Sequence, residues 1–454
     1  MAGLQELQDA AAEVVEAARK AGADVAEAVA RAGSHLSTKV RLGEPELVEE
    51  AGSRSLGLRV MLGKQVAVTY TSDLSAFGRG RLVEDAIELA RLANEDPFAG
   101  PPDPSLLSTP DAWTDLDTYD EGMDSLGADE ALKRAKEGEA AARTADDRIT
   151  NSEGATFTRA SGGSALVTSG GFAGSTRGTY ASIVVNPVAD DTDGKKRQGY
   201  HWAAKRHLAA LDDAASVGRE AARRTLRKLG AQKLETAEMP VIFDPDAARS
   251  ILGLLSSCIN GSSIWRKSSY LVDRLETQVA SELVTIVDDP LIPRAPGSRA
   301  FDGEGLASRR NVVVDKGVLK TYLLDSYAGR KLDMQSTASA SRGASGGVGP
   351  STTNFLLRPT ELTPEQLVAD TPRGFYVTEM MGYGFNAVTG DFSRGASGFF
   401  VDGGELTFPV SEVTISLNVD EIFKRIDAVA SDLDMRTSTA SPTFRVSAMT
   451  VAGR

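Results

Sequence analysis

Val312-Val313-Val314-Asp315-Lys316-Gly317-Val318-Leu319-Lys320-Thr321-Tyr322-Leu323-Leu324 consists of two apolar, largely β-type runs around a short turn that ends in glycine. Such runs read as paired antiparallel strands. The pattern returns at 399–401 and 406–410, around Asp402-Gly403-Gly404, and 413–417 adds another strand. Residues 236–454 are therefore expected to form a β-rich domain, barrel- or sandwich-like, with helices inserted at about 245–259 and 420–431. Within it, residues 336–354 are dominated by Ser, Gly, Thr and Ala. That composition is too polar for a core and predicts a mobile loop.

Upstream, the texture changes near 231–236. Residues 95–235 read as a connector and a central α/β region. Pro97, Pro101, Pro102, Pro104 and Pro110 exclude regular structure at its start. An alanine-rich helix is expected at about 128–146, β-like segments at 148–200, and a helix at about 211–229 ending at Gly230. Residues 1–94 read as helix, strands (25–32, 36–42, 56–62, 65–71) and a closing helix at 82–94. The fold class is α+β: an N-terminal α/β half on a mainly antiparallel sheet, followed by the β-rich domain.

Length and composition bound the function. The chain has 454 residues, enough for two or three domains, and 41% are hydrophobic. With 50 basic and 63 acidic side chains the net charge is −13, which repels phosphate backbones, so nucleic acid is not an expected partner. A single cysteine, Cys258, precludes an internal disulfide and fits a reducing compartment. Leu4, Leu7, Ala11, Val14 and Ala18 recur at helical spacing over 1–23, with Asp9, Glu13, Glu16 and Lys20 between them. That is an amphipathic surface helix, not a signal peptide, and no apolar run reaches membrane-spanning length. A cytoplasmic protein without membrane contact is expected.

Catalytic constellations are scarce. Asp244 and Pro245 mark a helix start, and Cys258 falls beside the apolar stripe of that helix, so a packed, inert thiol is expected. His201 and His207 are six apart without a glutamate between or beside them, and His35 stands alone, which does not make a zinc site. Gly343-Ala344-Ser345-Gly346-Gly347 matches Gly-x-Ser-x-Gly, but Val348-Gly349-Pro350 follows where a nucleophile elbow needs a helix. Neither glycine cluster, 170–178 or 343–349, forms a phosphate-binding loop. No catalytic residue and no metal ligand is assigned, and no cofactor is expected in this chain.

Three stretches resemble PmbA-type members of the TldD/PmbA family. They are Val287-Asp288-Asp289-Pro290-Leu291 with Phe301-Asp302-Gly303-Glu304-Gly305 and Ser308-Arg309-Arg310; 316–327; and Gly384-Phe385-Asn386-Ala387-Val388-Thr389-Gly390-Asp391-Phe392-Ser393-Arg394-Gly395-Ala396. The resemblance is strongest over about 240–454. It implies that TldD-like members carry His-Glu-x-x-x-His on a helix early in this domain and a late Cys, holding a zinc-like ion that activates water. At the corresponding places this chain has Ser256, Ser257 and Gly261, and 437–441 contains no Cys. By resemblance the chain is expected to be the non-catalytic, metal-free subunit of a heteromeric TldD/TldE-type cytoplasmic metallopeptidase. Its partner would be a TldD-like subunit carrying the zinc-like metal, and the pair would degrade or mature unfolded or small peptides. The alternative is a peptide-binding or regulatory module acting without a peptidase partner. Self-association of the isolated chain into a homodimer stays open.

The loop 336–354 and the segment 384–396 are expected to line the peptide cleft or the partner interface. Arg342, Asn354, Asp391 and Arg394 are the polar contacts expected there, because an extended peptide offers unpaired backbone groups to loop backbone, strand edges and a few fixed charges. The plainer reading of Asp391 and Arg394 is that they pair with each other to hold a turn.

Overall fold

The computed structural model describes residues 3–192 and 194–454, so Met1, Ala2 and Asp193 lie outside the described residues. Four long strands and three shorter ones build the N-terminal half: β1 (Val25–Arg41), β2 (Glu44–Leu62), β3 (Gln65–Thr71), β4 (Ile149–Thr168), β5 (Ala173–Asp190), β6 (Lys196–Gln198) and β7 (His201–Lys205). They form one antiparallel sheet in the order β3-β2-β1-β4-β5-β6, with β7 also on β5. The two strands expected at 25–32 and 36–42 are one continuous strand. β1 pairs with β4 from Glu27↔Thr168 to Val40↔Ala155, so the sheet crosses the expected division at residue 94.

Helices cover this sheet in two groups. Leu4–Lys20 buries Leu7, Ala11, Val14, Val15 and Ala18 at helical spacing. With Ala76–Leu92 it packs on the first strands, around Leu56, Leu58 and Val60. Ala128–Arg143 and Ala214–Leu226 pack on the later strands around Phe157, Ile183 and Val185. Small residues allow the close approach of the second pair: a methyl on Gly218 would meet the Gly138 carbonyl oxygen at 2.1 Å.

The C-terminal half is a closed barrel. Its strands run 405–416, 393–402, 373–381, 237–243 and 444–452, and the last pairs back onto the first through Thr414↔Ala452. Ile426–Val429 attaches to the 444–452 strand. The long helix expected at 420–431 is therefore a short helix, Val419–Lys424, followed by that strand. Ile426 and Val429, both β-branched, favour pairing over another helical turn. A second small sheet holds the 311–319 hairpin beside Ile286–Asp288 and Phe355–Leu357.

Residues 336–354 differ most from expectation. They form a hairpin, Ala340–Arg342 with Val348–Pro350, and Ala338, Ser339, Ala340, Arg342, Thr353 and Asn354 are buried. The turn lies on β2, where a methyl on Gly57 would come within 2.5 Å of the Gly346 nitrogen. Hydroxyls bond locally: the Thr337 and Ser339 side chains meet at 2.9 Å, and Thr337 Oγ1 accepts from the Leu324 N–H at 2.7 Å. Internal hydrogen bonding is what lets so polar a segment be packed.

Candidate substrate cleft

The helix Pro245–Cys258 organises a cleft between the two halves of the chain. Asp244 caps it, accepting from the Ala247 N–H at 2.9 Å, and Pro245 opens its first turn. Ala248, Ile251, Leu252, Leu255 and Cys258 face the core. Cys258 is fully buried and burial pushes its thiol up, which suits packing and not reactivity. The opposite face presents Asp246, Arg249, Ser250 and Gly253 to a cleft of about 770 Å³. Thr378–Met381 forms one wall and Thr437–Thr439 another, while Gln198, Tyr200 and Lys228 reach in from the N-terminal half. The fold thus brings the helix carrying Ser256 and Ser257 against the late 437–439 segment.

The Ser256 and Ser257 hydroxyls of this corner are engaged within their own helix, donating to the Gly253 and Leu254 carbonyl oxygens at 2.8 and 2.7 Å. A methyl on Gly261 would lie 2.7 Å from Leu324 Cδ2 and 2.8 Å from Ala328 Cβ, so no larger side chain fits at 261 as the chain stands. Among the described residues no group of three His, Cys, Asp or Glu side chains is placed to hold a metal. Hydroxyls engaged with helix carbonyls are poor ligands for a zinc-like ion, which favours imidazole and thiolate.

The cleft is strongly charged but internally balanced. Lys228 meets Glu379 at 2.5 Å, and Asp246 receives Arg224 at 3.4 Å and Arg436 at 3.6 Å. A deeper lobe of about 310 Å³ shares Tyr200, Lys228, Asp246 and Glu379 and adds Arg227, Asp244 and Tyr376. Burial raises the Asp244 carboxyl to about 7 despite its bond from Ala247, and nearby Asp246 adds to the rise. Burial, with Arg224 and Arg436 close by, lowers His201 to about 4, so its ring is neutral at physiological pH.

One wall has free backbone. The strand Arg373–Met381 pairs with 237–243 only from Phe375 to Val377, because the neighbouring strand ends at Phe243 and the chain turns into the helix. From Glu379 to Met381 it pairs with 393–402 on one side alone. Its other side borders the cleft, leaving an edge that an extended peptide could extend.

The four side chains expected at the cleft separate. Arg342 is buried and pairs with Glu27 of β1 at 2.7 Å, while also donating to Gly303 O. Asn354 is fully buried; its amide donates to Asp289 O and Ser298 Oγ, and its oxygen accepts from Gly297 N–H. Neither lines the cleft, and both hold parts of the fold together. Arg394 lies next to the cleft without lining it, donating to Ser250 Oγ, which does line it, at 3.2 Å. Asp391 is exposed and takes a hydrogen bond from Thr389 Oγ1 at 2.6 Å. Among the described residues Asp391 and Arg394 make no ion pair. Ser345 sits in the hairpin turn on β2 with no helix after it. Sequence reading missed Lys228, Tyr200 and the 379–381 edge, because only the closing of the barrel shows where a strand loses its neighbour.

Matches to known proteins cover nearly the whole chain. The PmbA/TldA metallopeptidase C-terminal domain matches residues 236–453, the central domain 122–229 and domain 1 residues 26–90. The chain is 35% identical to "Metalloprotease PmbA" of Escherichia coli O157:H7 over 92% of its length and 90% of that protein. It is 36% identical to the PmbA homolog of Haemophilus influenzae over 99% and 96%. In structure it resembles a putative modulator of DNA gyrase from Bacteroides thetaiotaomicron, with a TM-score of 0.92, 26% identity and full coverage of both chains. TldE from Thermococcus kodakarensis shares the fold, with a TM-score of 0.87 over 98% of this chain and all of that one, at 19% identity.

Proposed function

Since the chain belongs to the PmbA/TldD family of metallopeptidases, we propose that it is the metal-free subunit of a TldD/TldE-type peptidase and that its cleft helps hold the peptide which a TldD-like partner cleaves. One observation carries this reading. The helix bearing Ser256 and Ser257 and the segment 437–439 converge on one cleft, yet offer no nitrogen or thiolate ligand, and the packing at Gly261 leaves no room for one. The binding architecture persists where metal chemistry does not.

In this role the chain's own groups bind and orient. The edge at 379–381 hydrogen-bonds to an extended peptide backbone without regard to sequence. Arg394 and Arg249 fix a carbonyl or a terminal carboxylate. A partner's zinc-like ion would supply the activated water and polarise the scissile carbonyl, and no step of that chemistry falls to residues of this chain. Asp391 stays a proposed contact at the rim. The function is cytoplasmic, in line with a reducing environment for Cys258.

The test is co-expression with the TldD-like protein of the same genome, then peptide cleavage and metal content of each chain and of the pair. The proposal expects turnover by the pair, none by this chain alone, and metal that follows the partner. Stoichiometric metal retained by this chain alone would overturn it.

A further inference from the structure

A second cleft, of about 680 Å³, opens at the other end of the N-terminal sheet and shares no lining residue with the first. It lies where three parts of the chain meet: the connector at 110–119, β5 with the segment after β7, and residues 298–301 of the C-terminal half. Its inner wall is aromatic. Trp113 and Phe301 lie 4.9 Å apart, and Phe172 packs behind Phe301 at 5.0 Å.

Around that wall stand three arginines, in a protein of net charge −13. Arg177 is exposed and stacks over the Tyr119 ring at 3.9 Å. Arg206 is held by backbone oxygens, Ala295 O at 2.9 Å and Pro296 O at 2.6 Å. Arg299 is the unusual one: its Nε and Nη2 are closed off from solvent without a hydrogen-bond partner. Among the described residues its guanidinium makes no hydrogen bond, and none of the three arginines has a carboxylate within ion-pairing distance.

Among the described residues the nearby acids are engaged, apart from Asp115, which has no cation partner. Asp117 pairs with Arg294 at 2.5 Å and with His207 at 3.3 Å, and Asp115 receives the Asp117 N–H. Behind Arg299, Asp302 accepts backbone N–H groups of Glu304, Leu306 and Ala340, and Asp288 accepts from Thr353. These carboxylates steady the buried positive charge from a distance and leave its hydrogen-bonding capacity unused. Nε and Nη2 are out of a ligand's reach, but Nη1 keeps accessible surface on the cleft and has no acceptor in the described chain, so this is the atom through which Arg299 can meet an outside acceptor.

We propose that this cleft is a binding site for a small anion carried on an aromatic or other apolar body, a carboxylate or a phosphate monoester, with Arg177, Arg206 and Arg299 taking the anion and Trp113 and Phe301 the apolar part. The fork geometry of guanidinium suits both anions, and flat apolar groups pack well on such rings. The site stands apart from the peptide-cleft reading, and either can fail alone.

Isothermal titration of the full chain with N-acetylphenylalanine, phenyl phosphate and the uncharged N-acetylphenylalanine amide tests it. Saturable binding of at least one anion, with none of the amide, is expected. A tighter carboxylate assigns the site to carboxylates and a tighter phosphate to phosphate monoesters. Arg177→Gln, exposed and touching Tyr119 alone among the rings, keeps the fold and should weaken binding about tenfold, the loss of one charge-assisted contact. Arg299→Met should weaken it at least as much wherever the variant folds. No saturable binding of either anion, equal binding of the amide, or unchanged affinity in Arg177→Gln would each overturn the proposal.

Discussion

The segments 336–354 and 384–396 look alike as sequences, glycine-rich with one or two charged side chains, yet they end in opposite surroundings. The first is wedged between the two halves of the molecule, with Arg342 and Glu27 side chains only 3% and 1% exposed. The second is only partly covered: Asp391 is exposed and bonds Thr389 and Asn418, while Phe392 and Ala396 of the same segment pack in the C-terminal core. Composition tells how close a backbone can approach something, not what it approaches. The deciding residue for the first segment lies some three hundred positions away, in Glu27, whose carboxylate also receives Arg59 at 3.0 Å.

The largest expected difference between the segments is in stability. Arg342→Ala strands Glu27 in a closed site with Arg59 alone and should cost about 3–5 kcal/mol in urea denaturation. Asp391→Ala should stay within about 0.5 kcal/mol. Equal effects would dissolve the contrast. Next in size is the backbone contact: Gly57→Ala must displace the Gly346 turn and should cost roughly 1–3 kcal/mol, whereas Gly382→Ala, at a turn with open space around it, meets only its own backbone strain at φ +83°.

Titration sharpens the same comparison. Burial alone would raise Glu27, but Arg342 and Arg59 outweigh it and hold the carboxyl at about 2. Its folded value lies below the ordinary 4.5, so its contribution is complete above pH 4.5 and disappears as the pH falls towards 2. Glu304, behind the same hairpin, goes the other way: burial first, then Asp302 and Asp325, raise it to about 7. The unfolded chain ionises there first, so this group lowers stability as the pH rises from 4.5 to 7 and changes nothing beyond. Denaturation midpoints measured at pH 3, 4.5 and 7 should show Glu27→Gln with a shallower acid-side slope and Glu304→Gln with a smaller decline towards pH 7, the rest of that decline belonging to groups such as Asp244, also raised to about 7. An undiminished decline in Glu304→Gln would assign all of it elsewhere.

Much of the fold is legible in the residues. Apolar runs around short glycine turns marked the hairpins, and Asp244-Pro245 with the stripe Ala248, Ile251, Leu252, Leu255 marked the cleft helix, because these signals are local. The joining of β1 to β4, the closing of the barrel and the burial of the 336–354 hairpin depend on pairings between distant segments, and no local pattern encodes them. The site divides along the same line. Ser256, Ser257 and the 437–439 segment could be singled out by resemblance, and Arg394 by its motif. The free edge at 379–381, Lys228 with Glu379, and the Arg299 cleft exist only once distant strands are in register.

Peptide cleavage by the separated and recombined chains tests most directly whether the cleft beside the helix Pro245–Cys258 holds peptide without performing the chemistry. The predicted result is no turnover by this chain, with or without added zinc, little by the TldD-like partner, and full turnover on mixing, reduced by Arg394→Ala through a raised KM. Cleavage by this chain alone at the rate of the mixture would contradict it.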